Sequence, residues 1–210
     1  MISRAHRPPP LRPGGYSLFE MMVVLAIVMI LFTVAATGFR KSWESQEIKA
    51  SALHLAHDIT LAAQTAQKLN TTVTLRFIKY FPKAVAADKP HYHAFQLLIQ
   101  DPDSPIPKLK GLYELQTLEG TTLISENTRF SSVLYAPAQK RGGTDEDLGI
   151  GDYEYFSIEF RPNGSTNLLP SPQPATITLI PARSVDSLGE LPKEYQTLVL
   201  HPENGTVSVY

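Results

Sequence analysis

Cysteine is absent from the 210-residue chain, which excludes a disulfide framework, a thiolate metal site and a cysteine nucleophile. No serine sits in a Gly-x-Ser-x-Gly elbow or another nucleophile motif. Gly142-Gly143 lacks the Lys-Ser/Thr that a phosphate-cradling loop requires. Lysine and arginine are not gathered into a face or stripe, and the formal net charge is -1, so no nucleic-acid partner is expected. These absences point away from an enzyme and from any cofactor. A domain without disulfides must be held by packing alone.

What the chain does have is one long uncharged stretch. From Met21 to Phe39 no charged residue interrupts the sequence MMVVLAIVMILFTVAATGF. As a helix rising 1.5 Å per residue it would be about 28 Å long, close to the ~30 Å of a hydrocarbon core. Glu20 stands at its very start, and a carboxylate carried into such a span costs about 2.5 kcal/mol or more at the centre. It needs a partner, yet no basic residue follows within a helical turn. If the chain is cut after Gly15, Tyr16 becomes the amino terminus and Glu20 the fifth residue. Staggered copies could then pair one subunit's α-amine with the next subunit's Glu20, neutralising the charge and setting the register.

Gly15-Tyr16-Ser17-Leu18-Phe19-Glu20, followed by the apolar run, resembles the class III signal of type IV prepilins and type II secretion pseudopilins. The resemblance implies cleavage after Gly15 by a prepilin peptidase/methyltransferase and N-methylation of Tyr16. Glu20 takes the position of the family's assembly glutamate, and Tyr16 replaces the usual phenylalanine with another aromatic ring. It further implies a pilin-like α+β fold, other pilin or pseudopilin subunits as partners, and an assembly platform driven by a cytoplasmic ATPase. Within the superfamily, Phe156 to Gly164 and the terminal Asn204-Gly205 hairpin look most like the minor pseudopilin H group. A fainter likeness, through SLFEMMVVLAIV and YHAFQLLIQDPD, leads to the prepilin-like cassette protein D family of Verrucomicrobia.

The rest of the chain divides accordingly. Residues 1–15 are a short basic leader with no apolar region of their own. Removing them takes away Arg4, Arg7 and Arg12, so 19 basic side chains become 16 against 20 acidic ones, a net of about -4. The leader arginines outnumber Arg40 and Lys41 beyond the span. This places the amino terminus in the cytoplasm and the C-terminal domain in the periplasm, as a single-pass inner-membrane protein in contact with lipid before assembly. Residues 16–39 form the span and filament core, and residues 40–70 continue the helix. There Ile48, Ala52, Leu55, Ile59, Ala62, Ala66 and Leu69 recur at spacings of four and three as one apolar stripe. Lys49, His54, Asp58, Gln64 and Gln67 fall largely outside it. From Ser17 to Leu69 such a helix would be about 80 Å long.

Residues 71–210 read as a β-rich globular domain, enriched in proline. Alternation predicts strands at 73–77, 92–100, 112–117, 121–125, 129–135, 155–161, 175–180, 197–200 and 206–210. Loops are expected at 101–105, 136–152 and 181–194. Asn204-Gly205 between two alternating runs is a hairpin signal. One long helix followed by strands alone suits a helix laid on an antiparallel sheet.

Few residues suggest other chemistry. Asp145, Asp147 and Asp152 are candidate calcium ligands, but their spacing is not that of an EF-hand, and a solvated acidic loop is the plainer reading. His91 and His93 could share one side of a strand, but without a third ligand they make a poor zinc site. Trp43 reads as an interfacial anchor. The function expected is therefore structural: a subunit, minor by its irregular proline-rich loops, of a type IV pilus-like or type II secretion filament. The competing expectation is a membrane-anchored periplasmic binding module or enzyme that never polymerises.

Overall fold

The computed structural model describes residues 16–81, 89–100, 108–135, 140–143, 148, 150–168, 174–185 and 189–210, with backbone alone at 34–41, 135, 140, 141 and 143. The chain divides into two compact units at Lys41/Ser42. Helix α1 spans Leu18–Leu69. Among the described residues no helix is long and apolar enough to cross a membrane, and 34–39 of the uncharged run are among the residues described in backbone alone.

The stripe read from sequence is the buried face of α1. Ile48, Ala52, Leu55, Ile59, Ala62 and Ala66 are all buried, with Ala63 beside them. Leu69 departs from the expectation and is exposed, because the helix ends there. Asn70 takes φ +49, Thr71 N–H bonds to Ala66 O at 3.1 Å and Asn70 N–H to Gln67 O at 3.4 Å. This is a Schellman cap, in which a left-handed residue turns the chain and satisfies the last carbonyls. Two polar residues join the buried face. Ser51 accepts a hydrogen bond from Glu119 N–H at 2.8 Å, and Asp58, expected outside the stripe, is 8% exposed.

Among the described residues ten strands follow in two antiparallel sheets. The first has the order β3-β2-β1-β7-β6, built from β1 (Val73–Tyr80), β2 (His91–Gln100), β3 (Leu109–Gly111), β6 (Lys140–Gly143) and β7 (Tyr153–Phe160), with β4 (Gln116–Thr117) also on β2. The second runs β10-β9-β8-β5, from β5 (Thr122–Ile124), β8 (Ala175–Pro181), β9 (Gln196–Leu200) and β10 (Val207–Val209). Alternate residues of the strands, Val73, Leu75 and Phe77, Phe156, Ile158 and Phe160, Ile177 and Leu179, Leu198 and Leu200, join the α1 stripe in one buried cluster. The period of two in the strands and the four-three spacing in the helix thus meet in a single α+β core.

The terminal hairpin forms where Asn-Gly predicts it. His201 N–H bonds to Thr206 O at 2.8 Å, and Gly205 has φ +65. A Cβ on Gly205 would lie 3.1 Å from Gly164 O and 3.3 Å from the Ala63 Cβ, so the same glycine also admits close packing on α1.

Three expectations are corrected. Of the strand expected at 112–117 only Gln116–Thr117 pairs in the sheet. Residues 129–135 are not a strand. Asn127 starts a helical turn, its side chain accepting from Arg129 N–H at 3.0 Å, and a 3-10 helix follows at Ser132–Tyr135. The loop expected over 136–152 contains β6, which pairs with β7 from Lys140↔Phe156 to Gly143↔Tyr153. An available sheet edge outweighs the local glycine preference. The expected 101–105 loop lies outside the described residues.

Candidate functional site

The start of α1 is a capping box. Ser17 Oγ accepts from Glu20 N–H at 3.2 Å, and Glu20 Oε2 accepts from Ser17 N–H at 2.8 Å. Each side chain satisfies a backbone donor that the first helical turn leaves without an intrahelical partner. The Glu20 carboxylate also faces the positive end of the helix dipole, worth about 0.3–1 kcal/mol at an exposed site. Ser-x-x-Glu spacing signals this arrangement, so Ser17 is a site residue that the sequence reading passed over. Among the described residues no Lys, Arg or His forms an ion pair with Glu20.

From Met21 to Phe32 the helix is apolar all round. Tyr16, Leu18 and Phe19 are 80%, 81% and 76% exposed, and the large apolar residues from Met21 to Phe32 are all exposed. Thr33, at the end of this stretch, returns its hydroxyl to Met29 O at 2.8 Å. A helix without a polar face needs an apolar surrounding, and contiguous apolar surface of this extent marks an interaction site. The carboxylate of Glu20 is held at its edge.

The remaining candidates fall apart or lie elsewhere. Gly15, Asp145 and Asp147 are outside the described residues, and Asp152 is exposed just before β7. Among the described residues no group of three or more His, Cys, Asp or Glu could hold a metal ion. His91 and His93 are both buried but serve different partners: His91 Nδ1 lies 3.3 Å from Glu126 Oε1, and His93 Nδ1 donates to Thr122 O at 2.8 Å. The register explains this. Ile78 pairs with Ala94 and Lys79 with Tyr92, leaving His93 as the extra residue of a β-bulge. Burial lowers the His93 pKa, against a smaller opposing effect of the Thr122 hydrogen bond. Trp43 is exposed.

A cleft of about 560 Å³ opens beside His91, with Ile124, Phe130 and Ile180 among its apolar residues. Its charges compensate one another: Lys79 Nζ is 2.6 Å from Glu126 Oε2. Nearby, burial first and then Glu126 and Glu154 push the Tyr92 hydroxyl up to about 12.

Residues 12–36 match the prokaryotic N-terminal methylation motif, a stretch that includes Gly15, Tyr16, Ser17 and Glu20. No curated protein matches the chain. Among solved structures it is similar to the minor pseudopilin EpsH from the type 2 secretion system of Vibrio cholerae, at 12% identity over 78% of this chain and 96% of that one, with a TM-score of 0.42. It is similar also to the type IV minor pilin FimU of Pseudomonas aeruginosa, at 11% identity over 79% of this chain and 89% of that one, TM-score 0.42.

Proposed function

We propose that the chain is a structural subunit of a type IV pilin-like filament, of the minor pilin or pseudopilin kind. A prepilin peptidase/methyltransferase trims it after Gly15 and methylates Tyr16. The uncharged 21–39 helix holds the subunit in the inner membrane, with the 42–210 domain outside, until it passes into a helical bundle of like helices. A platform driven by a cytoplasmic ATPase supplies the work. Apolar packing gives the bundle cohesion. The new amine of one subunit, paired with Glu20 of the next, gives it register. The chain itself carries no catalytic chemistry.

The observation that carries this reading is a coincidence of position. The methylation motif, the Ser17–Glu20 box and the exposed apolar helix occupy the same stretch in the same register. In an anchored, non-polymerising domain the glutamate would serve as a helix cap alone. The test is the intact mass and N-terminal sequence of the protein from its native membrane. A chain beginning at Tyr16 and one methyl group heavier than the trimmed sequence is expected. A chain that keeps residues 1–15 in cells with an active prepilin peptidase would overturn the proposal.

A further inference from the structure

The cleft beside His91 neutralises itself through Lys79 and Glu126; a second cleft does not. It measures about 340 Å³ and opens between α1 and the segment carrying β4, lined by His54, Asp58, Phe95, Leu97, Tyr113 and Gln116 among others. Its volume is at the small end of ligand sites.

Asp58 stands in its wall with the apolar Phe95 and Leu97 alongside. Among the described residues its one ion-pair partner is His54, Nε2 to Oδ2 3.5 Å, an imidazole that is charged only when protonated. No Lys or Arg among them pairs with it. Burial raises the Asp58 pKa, with His54 and His57, both also in the lining, opposing. The His54 ring is fixed edge-on against Phe95, centroids 5.6 Å apart at 72°. Gln116 donates Nε2 to Glu114 O at 3.3 Å, which leaves its side-chain carbonyl to accept. Tyr113, an aromatic residue of the lining, is 51% exposed.

A carboxylate, an amide oxygen and an aromatic face, with no permanent cation, complement one group above others. A guanidinium is planar, rich in donors and always charged; it engages carboxylates in bidentate fashion and stacks on aromatic rings. Lysine would use the charge but neither the plane nor the stack. Outside the cleft, one helical turn before His57 of its lining, Leu53 is 65% exposed on α1. That apolar surface is left uncovered by a small molecule and suits a protein.

We propose that this cleft is a socket for an arginine side chain presented by a partner protein. The site lies wholly within the 42–210 unit and does not depend on the filament reading.

The test is a titration of the full chain in detergent micelles, followed by NMR of labelled Tyr and His side chains, with N-acetyl-L-arginine methylamide as the probe. Saturable shifts at Tyr113 and His54 are expected. The neutral isostere N-acetyl-L-citrulline methylamide should give none, and Asp58→Asn should weaken the arginine probe by about tenfold or more. Tyr113→Ala, at an exposed position that folding does not need, should weaken it several-fold and covers the case in which Asp58→Asn does not fold. An absence of shifts, equal binding of the citrulline probe, or undiminished binding in a folded Asp58→Asn or Tyr113→Ala variant would overturn the socket. Tighter binding of free L-arginine than of the blocked probe would overturn the partner-protein assignment.

Discussion

His93 shows how a single bulged residue makes the fold sensitive to pH. Its ring is buried and its Nδ1–H is committed to Thr122 O, joining the first sheet to the start of the second. Because burial lowers its pKa below the ordinary 6.5, the folded state binds that proton less readily than the unfolded chain. The stabilisation is therefore fully present above pH ~6.5 and is lost as pH falls through the folded value. Asp58 has the opposite sign. Its raised pKa gives a contribution present below the ordinary 3.8 and lost as pH rises through the folded value. Urea midpoints at pH about 7.5 and about 5.5 should show the His93 effect as a drop on acidification, and His93→Gln should shrink that drop. An unchanged drop would assign it to another group. His93 could be named from its alternation with His91, but its partner could not, since a bulge moves a side chain off the face that alternation assigns.

At the scale of elements, the edge of β8 is finished by side chains. Thr178 N–H donates to Ser131 Oγ at 3.1 Å and Thr176 N–H to Ser132 Oγ at 2.9 Å. In return, Thr178 Oγ1 donates to Phe130 O at 2.6 Å and Ser132 Oγ to Pro174 O at 2.8 Å. Residues 130–132 thus satisfy the strand as a neighbouring strand would, while their own backbone is coiled. Ser131 is fully buried, so Ser131→Ala would leave the Thr178 amide without its acceptor and cost about 1–3 kcal/mol. A lower melting temperature with unchanged far-ultraviolet circular dichroism is the expected result. This segment was misread as a strand for a physical reason. Apolar residues in a short segment, here Val133 and Leu134, record burial, and a buried 3-10 turn satisfies them as well as a strand does. The α1 stripe was legible because six consistent spacings, alternately four and three, leave one geometry.

At the scale of the whole molecule, Glu20 separates folding from assembly. Among the described residues its side chain hydrogen-bonds with Ser17 alone, inside the first turn, and the core cluster draws on residues from Ile48 onward. Glu20→Ala should loosen the start of the helix by about 1 kcal/mol or less and leave the thermal unfolding of residues 42–210 unchanged. Filaments sheared from cells carrying this variant should lack the subunit, while the membrane fraction retains it. Incorporation at the original level would remove Glu20 from the assembly mechanism, though not the subunit from the filament.

The sequence by itself determined the features written in local chemistry. An uncharged run, a Ser-x-x-Glu start, a four-three stripe, Asn70 at the helix end and Asn204-Gly205 at the last turn each act through neighbours a few residues away. Only the tertiary structure decided what depends on distant partners. It paired β6 with β7, replaced a strand at the β8 edge with two hydroxyls, turned His93 toward Thr122, and put Asp58 beside Tyr113 in a cleft. The strands that Asp58 meets lie roughly forty to sixty residues further along, and no spacing rule reaches across that separation.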